Sequence, residues 1–208
     1  GTKMYVVNAI TGEPVFDVLG WMQSGWTNSP VVADGILITQ NGYDNQIYAF
    51  GKGLSATTIS ASPITVIRGS PTTIQGTVTD QSPGQTCLGI PAAGTPAVSD
   101  ESMSRWMEYL YQQQPKPTNT TGVPVTLIAT NENGEAITIG TVTSDANGNY
   151  AIQWTPPSTG IYKITANFAG TNSYWPSSAE IAIGVTEAPA SPATPSPTST
   201  SPTTTTPT

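Results

Sequence analysis

The sequence contains no histidine. That removes the side chain most often used as a general base near neutral pH, and the commonest metal ligand. A Ser-His-Asp triad, a Cys-His dyad and a histidine zinc site are therefore excluded. There is one cysteine, Cys87, so no disulfide forms within the chain and no cysteine cluster holds a metal. Cys87 is expected as a small apolar side chain in a loop or minor core; an intermolecular disulfide or reactive thiol is the alternative. Charge is scarce: 9% of residues are charged, against about 25% in an average globular protein. Six Lys plus Arg face 13 Asp plus Glu, a net charge of −7. No basic patch of useful size can be assembled, so neither nucleic acid nor a polybasic membrane contact is expected. No run approaches the roughly 18 apolar residues of a membrane span. The opening GTKMY is not a signal peptide. Both ends look cut, and we expect a piece of a longer protein.

What the chain has instead is uncharged polarity: Ser, Thr, Asn, Gln and Gly. Such composition is common in secreted β-rich proteins, whose strands favour Thr and Val. The clearest pattern runs from Gly122 to Val185, with five alternating runs separated by turn signals. Val123, Val125, Leu127 and Ala129 alternate inward. Asn133-Gly134 signals a hairpin. Ile137 and Ile139 share a face, and Gly140 suggests a bulge or a kink. Tyr150, Ile152 and Trp154 make the next row, then Tyr162, Ile164, Ala166 and Phe168, then Ala179, Ile181, Ile183 and Val185. Pro156-Pro157 and Gly160 mark a corner, with Tyr162 where a tyrosine corner sits. Pro63–Arg68, opened by proline, reads as an edge strand. Thr72–Thr79 reads as another, with Ile74, Gly76 and Val78 on one face. The total is seven strands, as expected for an immunoglobulin-like sandwich.

Residues 81–121 interrupt this pattern. The first part is irregular, with Pro83, Pro91 and Pro96. From Ser99 to about Gln114 the period changes: Met103, Trp106, Met107, Leu110 and Tyr111 fall on one helical face. Ser99 or Asp100 is placed to cap it, and Pro115 stops it. The stripe of Met103, Trp106 and Met107 is a candidate groove for a partner or a ligand such as a glycan; its commoner use is to cover the sandwich core or a domain junction. Asp100, Glu101 and Glu108 offer no acid/base pair and read as a solvated face. Asn119-Thr120-Thr121 is a glycosylation sequon in a loop, with Asn119 as acceptor on secretion. Asp145-Ala146-Asn147-Gly148-Asn149 opens like a calcium loop but lacks the rest, including its Glu. It reads as a tight Asx/Gly turn. Tyr174-Trp175 precedes the last strand. An exposed pair suits a sugar ring or a neighbouring subunit; otherwise one of the two rings caps the core. No catalytic, cofactor-binding or metal residue is assigned.

The first 53 residues hold short strand patterns: Lys3–Ala9, Pro14–Leu19, Pro30–Ala33, Ile36–Gln40 after Asp34-Gly35, and Gln46–Phe50. Their extent is that of one four-stranded propeller blade. The run Val6-x-Asn8-x-x-Thr11-Gly12-x-x-x-Phe16, with Ser29–Gly35 and Ile47–Phe50, resembles the quinoprotein-type (PQQ-like) propeller repeat. Val6, Asn8 and Phe16 depart from that repeat's usual Ala, Asp and Trp. The resemblance implies a blade of an incomplete propeller; propellers of this kind are quinone-dependent dehydrogenases or scaffolds. It supplies no functional residue, because cofactor and metal contacts come from several blades.

The stretches TSDANGNYAIQWTPPSTGIYKITANFAG and NSYWPSSAEIAIGV resemble immunoglobulin-like modules of prokaryotic, in particular archaeal, cell-surface proteins. That resemblance implies spacers and adhesive or assembly units. Residues 186–208 are expected to form a disordered Pro/Ser/Thr stalk suited to O-glycans.

The expected fold is thus mainly all-β: a seven-stranded immunoglobulin-like β-sandwich with an inserted α-helix, preceded by one four-stranded propeller-type blade. The boundaries are 1–53 for the blade, 54–62 for a linker, 63–185 for the sandwich with its 81–121 insertion, and 186–208 for the stalk. The expected function is a non-catalytic, extracellular structural or adhesive module. Its partners are other domains of the parent protein, neighbouring surface proteins or glycan, and its anchor is a C-terminal segment absent here. The alternatives are an accessory region of a PQQ-dependent oxidoreductase and a carbohydrate-binding module using exposed aromatics. No cofactor is expected.

Overall fold

A computed structural model describes residues 2–22, 30–83 and 93–189. Cys87 and residues 190–208 of the Pro/Thr stretch lie outside the described residues. In chain order the strands of the N-terminal unit are β1 (Lys3–Val7), β2 (Pro14–Leu19), β3 (Val31–Ala33), β4 (Ile36–Gln40) and β5 (Ile47–Phe50). Then follow β6 (Ser55–Thr57), β7 (Ser60–Ser62), β8 (Thr65–Ile67), β9 (Thr72–Asp80) and β10 (Thr95–Pro96). After the helix α1 (Asp100–Gln112) come β11 (Pro124–Asn131), β12 (Ala136–Thr143), β13 (Asn149–Trp154), β14 (Gly160–Phe168) and β15 (Ser177–Thr186).

The N-terminal unit is two small antiparallel sheets, the hairpin β1-β2 and the meander β3-β4-β5. Asn8 nucleates the hairpin turn: its side-chain oxygen accepts the N–H groups of Ile10 and Thr11 at 2.9 and 3.2 Å. Asp34 and Gly35 both take positive φ, 50° and 76°, as a two-residue hairpin turn of that type needs. The blade-sized unit is thus split between the sheets, which meet at the isolated bridge of Met22 with Asn41 and at the contact of Phe16 with Phe50. There the Asn41 side chain takes the Trp21 N–H at 3.0 Å, where a ladder would use backbone.

All seven expected sandwich strands form, as an immunoglobulin-like pair of sheets around one core. One sheet has the order β12-β11-β14-β15-β8, with β8 as its edge; in the other, β9 pairs β13 and β10 along one side and β6 and β7 along the other. The predicted inward rows are the core: Ile74, Val78, Val123, Val125, Leu127, Ala129, Tyr150, Tyr162, Ile164, Ala166, Phe168, Ile183 and Val185 are buried together, with Ile152 and Trp154 against them. The predicted bulge is present: Leu127 faces Gly140 and Ile128 faces Thr138, so Ile139 is the extra residue. Tyr162 completes its corner by sharing a 2.6 Å hydrogen bond with the Ser158 hydroxyl.

Residues 54–62 are not a free linker. Six of them form β6 and β7 and pair antiparallel with β9. Between the two, the Thr58 N–H donates to the Thr77 carbonyl at 2.9 Å. Gly76 makes the approach possible: a Cβ there would lie 1.9 Å from the Thr58 carbonyl oxygen.

Helix α1 sits between the hairpin and the sandwich. Trp106 and Leu110 close a second small core with Val98, flanked by Tyr109 and Tyr111, while Met103 packs against both cores. The N-terminus is not capped as the sequence suggests: Ser99 makes no side-chain capping bond. Its hydroxyl instead donates to the Ser102 hydroxyl at 3.2 Å, and Asp100 reaches across to another loop. At the other end Gln113 turns left-handed, with φ 56°, two residues before Pro115.

Candidate functional site

Three surfaces gather the polar and aromatic side chains. The first is the junction of α1 with the hairpin. Glu108 is buried, 3% exposed. One oxygen of its carboxylate accepts the Leu19 N–H at 2.9 Å, and the other pairs with Arg105 at 2.5 Å. Arg105 continues to Asp17 at 3.3 Å, and Asp17 also pairs with Lys3. The Lys3 hydrogen bond is the main cause holding the Asp17 carboxyl below its ordinary range; partial burial opposes it and Arg105 reinforces it. The Ser104 hydroxyl accepts the Asp17 N–H at 3.2 Å, and the Gln112 carboxamide donates to the Leu19 carbonyl. Glu108 is thus no solvated residue. A carboxylate in low dielectric needs such partners, and sequence spacing alone does not show them.

The second surface is the loop of Tyr174 and Trp175. A short parallel bridge pins it: the Gly53 N–H donates to the Ser173 carbonyl and the Trp175 N–H to the Gly53 carbonyl, each at 2.8 Å. This divides the expected aromatic pair. Tyr174 is 1% exposed, edge-on to Phe168, with its hydroxyl 3.4 Å from Asp80. Burial, then the Asp80 charge, pushes the phenol far above its ordinary value. Tyr174 caps the core and is not a contact residue. Trp175 stays 52% exposed, but the Lys52 ammonium lies 4.8 Å from its ring centroid. Asp100 ties α1 to the same loop, accepting the Asn172 and Ser173 N–H groups at 3.0 Å and the Ser173 hydroxyl at 2.6 Å. Burial opposes ionisation of Asp100, and these donors outweigh it and lower its pKa.

The helical stripe belongs to the interior. Trp106 is 2% exposed, tilted against Tyr109, and its indole N–H has no partner among the described residues. Trp106 and Met103 are therefore packing residues and no partner groove; Met107 is half-buried. Asn119 is exposed in the loop after α1. Asp145 forms the predicted Asx turn, accepting the Asn147 and Asn149 N–H groups at 2.8 and 2.9 Å. Among the described residues, no three acidic or cysteine side chains are grouped to hold a metal ion.

The third surface was not anticipated. A cleft of about 440 Å³ opens between the C-terminal end of α1, the hairpin and the β4–β5 turn. Tyr43 lines it, and Trp21 packs on Tyr43 with ring centroids 6.4 Å apart and an interplanar angle of 51°. Trp21 is 53% exposed and Tyr43 61%. Buried Asn41 holds both: its oxygen accepts the Trp21 and Tyr43 N–H groups at 3.0 and 3.2 Å. Its nitrogen donates to Asp44 at 3.1 Å. The only sequence signal was the Asn41-Gly42 turn dipeptide; nothing in periodicity connects Trp21 with Tyr43.

No protein-family model and no curated protein matches the sequence. Among solved structures, the chain is similar to a superoxide reductase (neelaredoxin) from Ignicoccus hospitalis, at 11% identity over 63% of this chain and 80% of that one, TM-score 0.36. It is similar to the CARDB domain of a Pyrococcus furiosus protein in complex with di-metal ions, at 13% identity over 66% and 91%, TM-score 0.31. It is also similar to a β-glucosidase from Listeria innocua in complex with isofagomine, at 8% identity and TM-score 0.30, over 65% of this chain and 17% of the enzyme. The fold assignment rests on the strand order and register of the chain itself. No helix among the described residues is long and apolar enough to cross a membrane.

Proposed function

We propose that the chain is a non-catalytic module of an extracellular cell-surface protein, spacing and assembling domains through protein–protein contacts. The observation that carries this reading is one face of the β3-β4-β5 sheet. Val31 pairs with Ile38, Ala33 with Ile36, and Ile38 with Ala49, and paired residues of an antiparallel sheet share a face. Val31, Ala33, Ile36, Ile38, Ile47 and Ala49 are all exposed. The opposite face is partly covered, with Phe50 against Phe16 at 5.4 Å. A contiguous exposed aliphatic face of this kind supports a contact with another protein surface. The Glu108–Leu19 and Asp100–Ser173 bonds join the unit carrying it to the sandwich, as a spacer requires.

The test is a photo-crosslinking residue at position 38 of the parent protein on its cell surface, with one at exposed Ile161 as control. Crosslinks from position 38 to a domain of the parent or to a neighbouring surface protein are expected. Equal, background crosslinking from both positions would overturn the reading.

A further inference from the structure

We propose that the cleft between α1 and the β4–β5 turn binds a neutral carbohydrate, with Tyr43 in its wall as the stacking ring and Trp21, packed on Tyr43 at the cleft's edge, extending the aromatic surface. At about 440 Å³ the cleft lies within the roughly 300–1,000 Å³ range of small-molecule sites. Its wall is chemically narrow. Apart from Leu19 and Gly20, the lining residues carry hydroxyl, carboxamide or carboxylate groups, among them Thr2, Gln46, Tyr111 and Gln114. Among the described residues no lysine or arginine lines the wall, so an anion finds no counter-charge there. Among the described lining residues, Asp44 is the one carboxylate. It already accepts the Gln46 N–H at 2.9 Å, the Asn41 amide at 3.1 Å and the Tyr48 hydroxyl at 2.7 Å, which leaves it an acceptor more than a cation site.

The aromatic pair supplies the other half of the recognition. A pyranose presents an apolar C–H face and a rim of hydroxyls. It matches a ring surface bordered by hydroxyl and amide groups, because aromatic side chains offer broad apolar area beside polar neighbours. Two rings inclined at 51° form an angled surface rather than a flat one. They are held before any ligand arrives: Asn41 bonds both backbones, and the Tyr43 hydroxyl shares a 2.9 Å hydrogen bond with Thr2. Such preorganisation lowers the ordering cost of binding. Trp175 is the poorer platform, since Lys52 already lies over its ring.

This inference goes beyond the assembly role and is tested apart from it. The full chain is titrated with neutral disaccharides of glucose, galactose and mannose by saturation-transfer NMR and calorimetry, and screened on a glycan array. Binding of at least one neutral glycan is expected. Trp21→Ala and Tyr43→Ala should each weaken it at least about tenfold, with Trp175→Ala unchanged and thermal melts confirming that all three variants fold. Gln114→Ala, on the opposite wall, should weaken binding without touching the rings. Absence of any neutral-glycan binding by the unmodified chain overturns the proposal. So does a response confined to charged glycans or cations, or binding lost in Trp175→Ala and kept in Trp21→Ala.

Discussion

The carboxylate of Glu108, on the helix, accepts the backbone N–H of Leu19, on the hairpin, across 2.9 Å. The two residues are 89 positions apart in sequence, and the bond is partly buried. It is one of the points at which the N-terminal unit is fastened to the rest of the chain. Removing the acceptor leaves the Leu19 N–H and the inner side of Arg105 without partners. Glu108→Ala should therefore cost about 1–3 kcal/mol, the desolvation cost of an unmet buried group. Hydrogen exchange at Leu19 is the direct readout. Lost protection there, with β11 and β14 amides unchanged, is expected; uniform protection in the variant would show that this bond does not fasten the junction.

Trp106 and Trp175 should separate cleanly in denaturant titrations. Trp106→Ala removes a ring that is 2% exposed and should cost about 3–5 kcal/mol. Trp175→Ala removes a half-exposed ring whose main partner is Lys52, and should cost about 1 kcal/mol or less. Equal losses would mean that the helix stripe is not the interior of a second core.

These contrasts also show where sequence reading reaches and where it stops. The seven sandwich strands were legible because one buried face forces period-two alternation, and α1 because its buried stripe has helical period. β6 and β7 were not. In Ser55–Thr57 and Ser60–Ser62 pairing to β9 is made by backbone, and small polar side chains leave no alternation to read. The division of Tyr174 from Trp175 was equally hidden, because it depends on Gly53, more than a hundred residues earlier. The burial of Glu108 depends on a hairpin that spacing within the helix does not reveal. The Trp21–Tyr43 cleft is the same case: two turns brought together by one buried asparagine.

Calcium should leave the melting temperature unchanged. The Asp145 carboxylate, which a calcium loop would commit to metal, already accepts two backbone N–H groups of its own turn. Gly148, at φ 80°, closes that turn without a ligand. A calcium-dependent rise in melting temperature, abolished by Asp145→Ala, would contradict this account.

Acid stability should depend on Asp100. The group's folded pKa lies below its ordinary value of 3.8. Linkage then fixes the sign: its contribution is complete above 3.8 and is lost as pH falls through the lower folded value. Asp100→Asn should lower stability near neutral pH and flatten the acid limb of a stability–pH curve. An unchanged acid limb would place the coupling elsewhere, with Asp17 as the next group to replace.

Gly76→Ala tests whether the Ser/Thr-rich segment is part of the sandwich. The added Cβ would lie 1.9 Å from the Thr58 carbonyl oxygen and 2.6 Å from the Tyr150 hydroxyl, and that hydroxyl itself donates to Thr58. Backbone cannot yield as a flexible side chain does, so β9 and the β6–β7 segment must separate or the variant must strain. The expected cost is about 1–3 kcal/mol. The loss should be local as well as global: amides of residues 55–62 should exchange faster while the β11-β14-β15 sheet keeps its protection. Tyr150, whose phenol burial pushes up to about 12, should titrate closer to an ordinary tyrosine once its surroundings open. If Gly76→Ala leaves exchange at residues 55–62 and the Tyr150 titration unchanged, the two strands are not held against β9, and the segment is the connector its composition suggests.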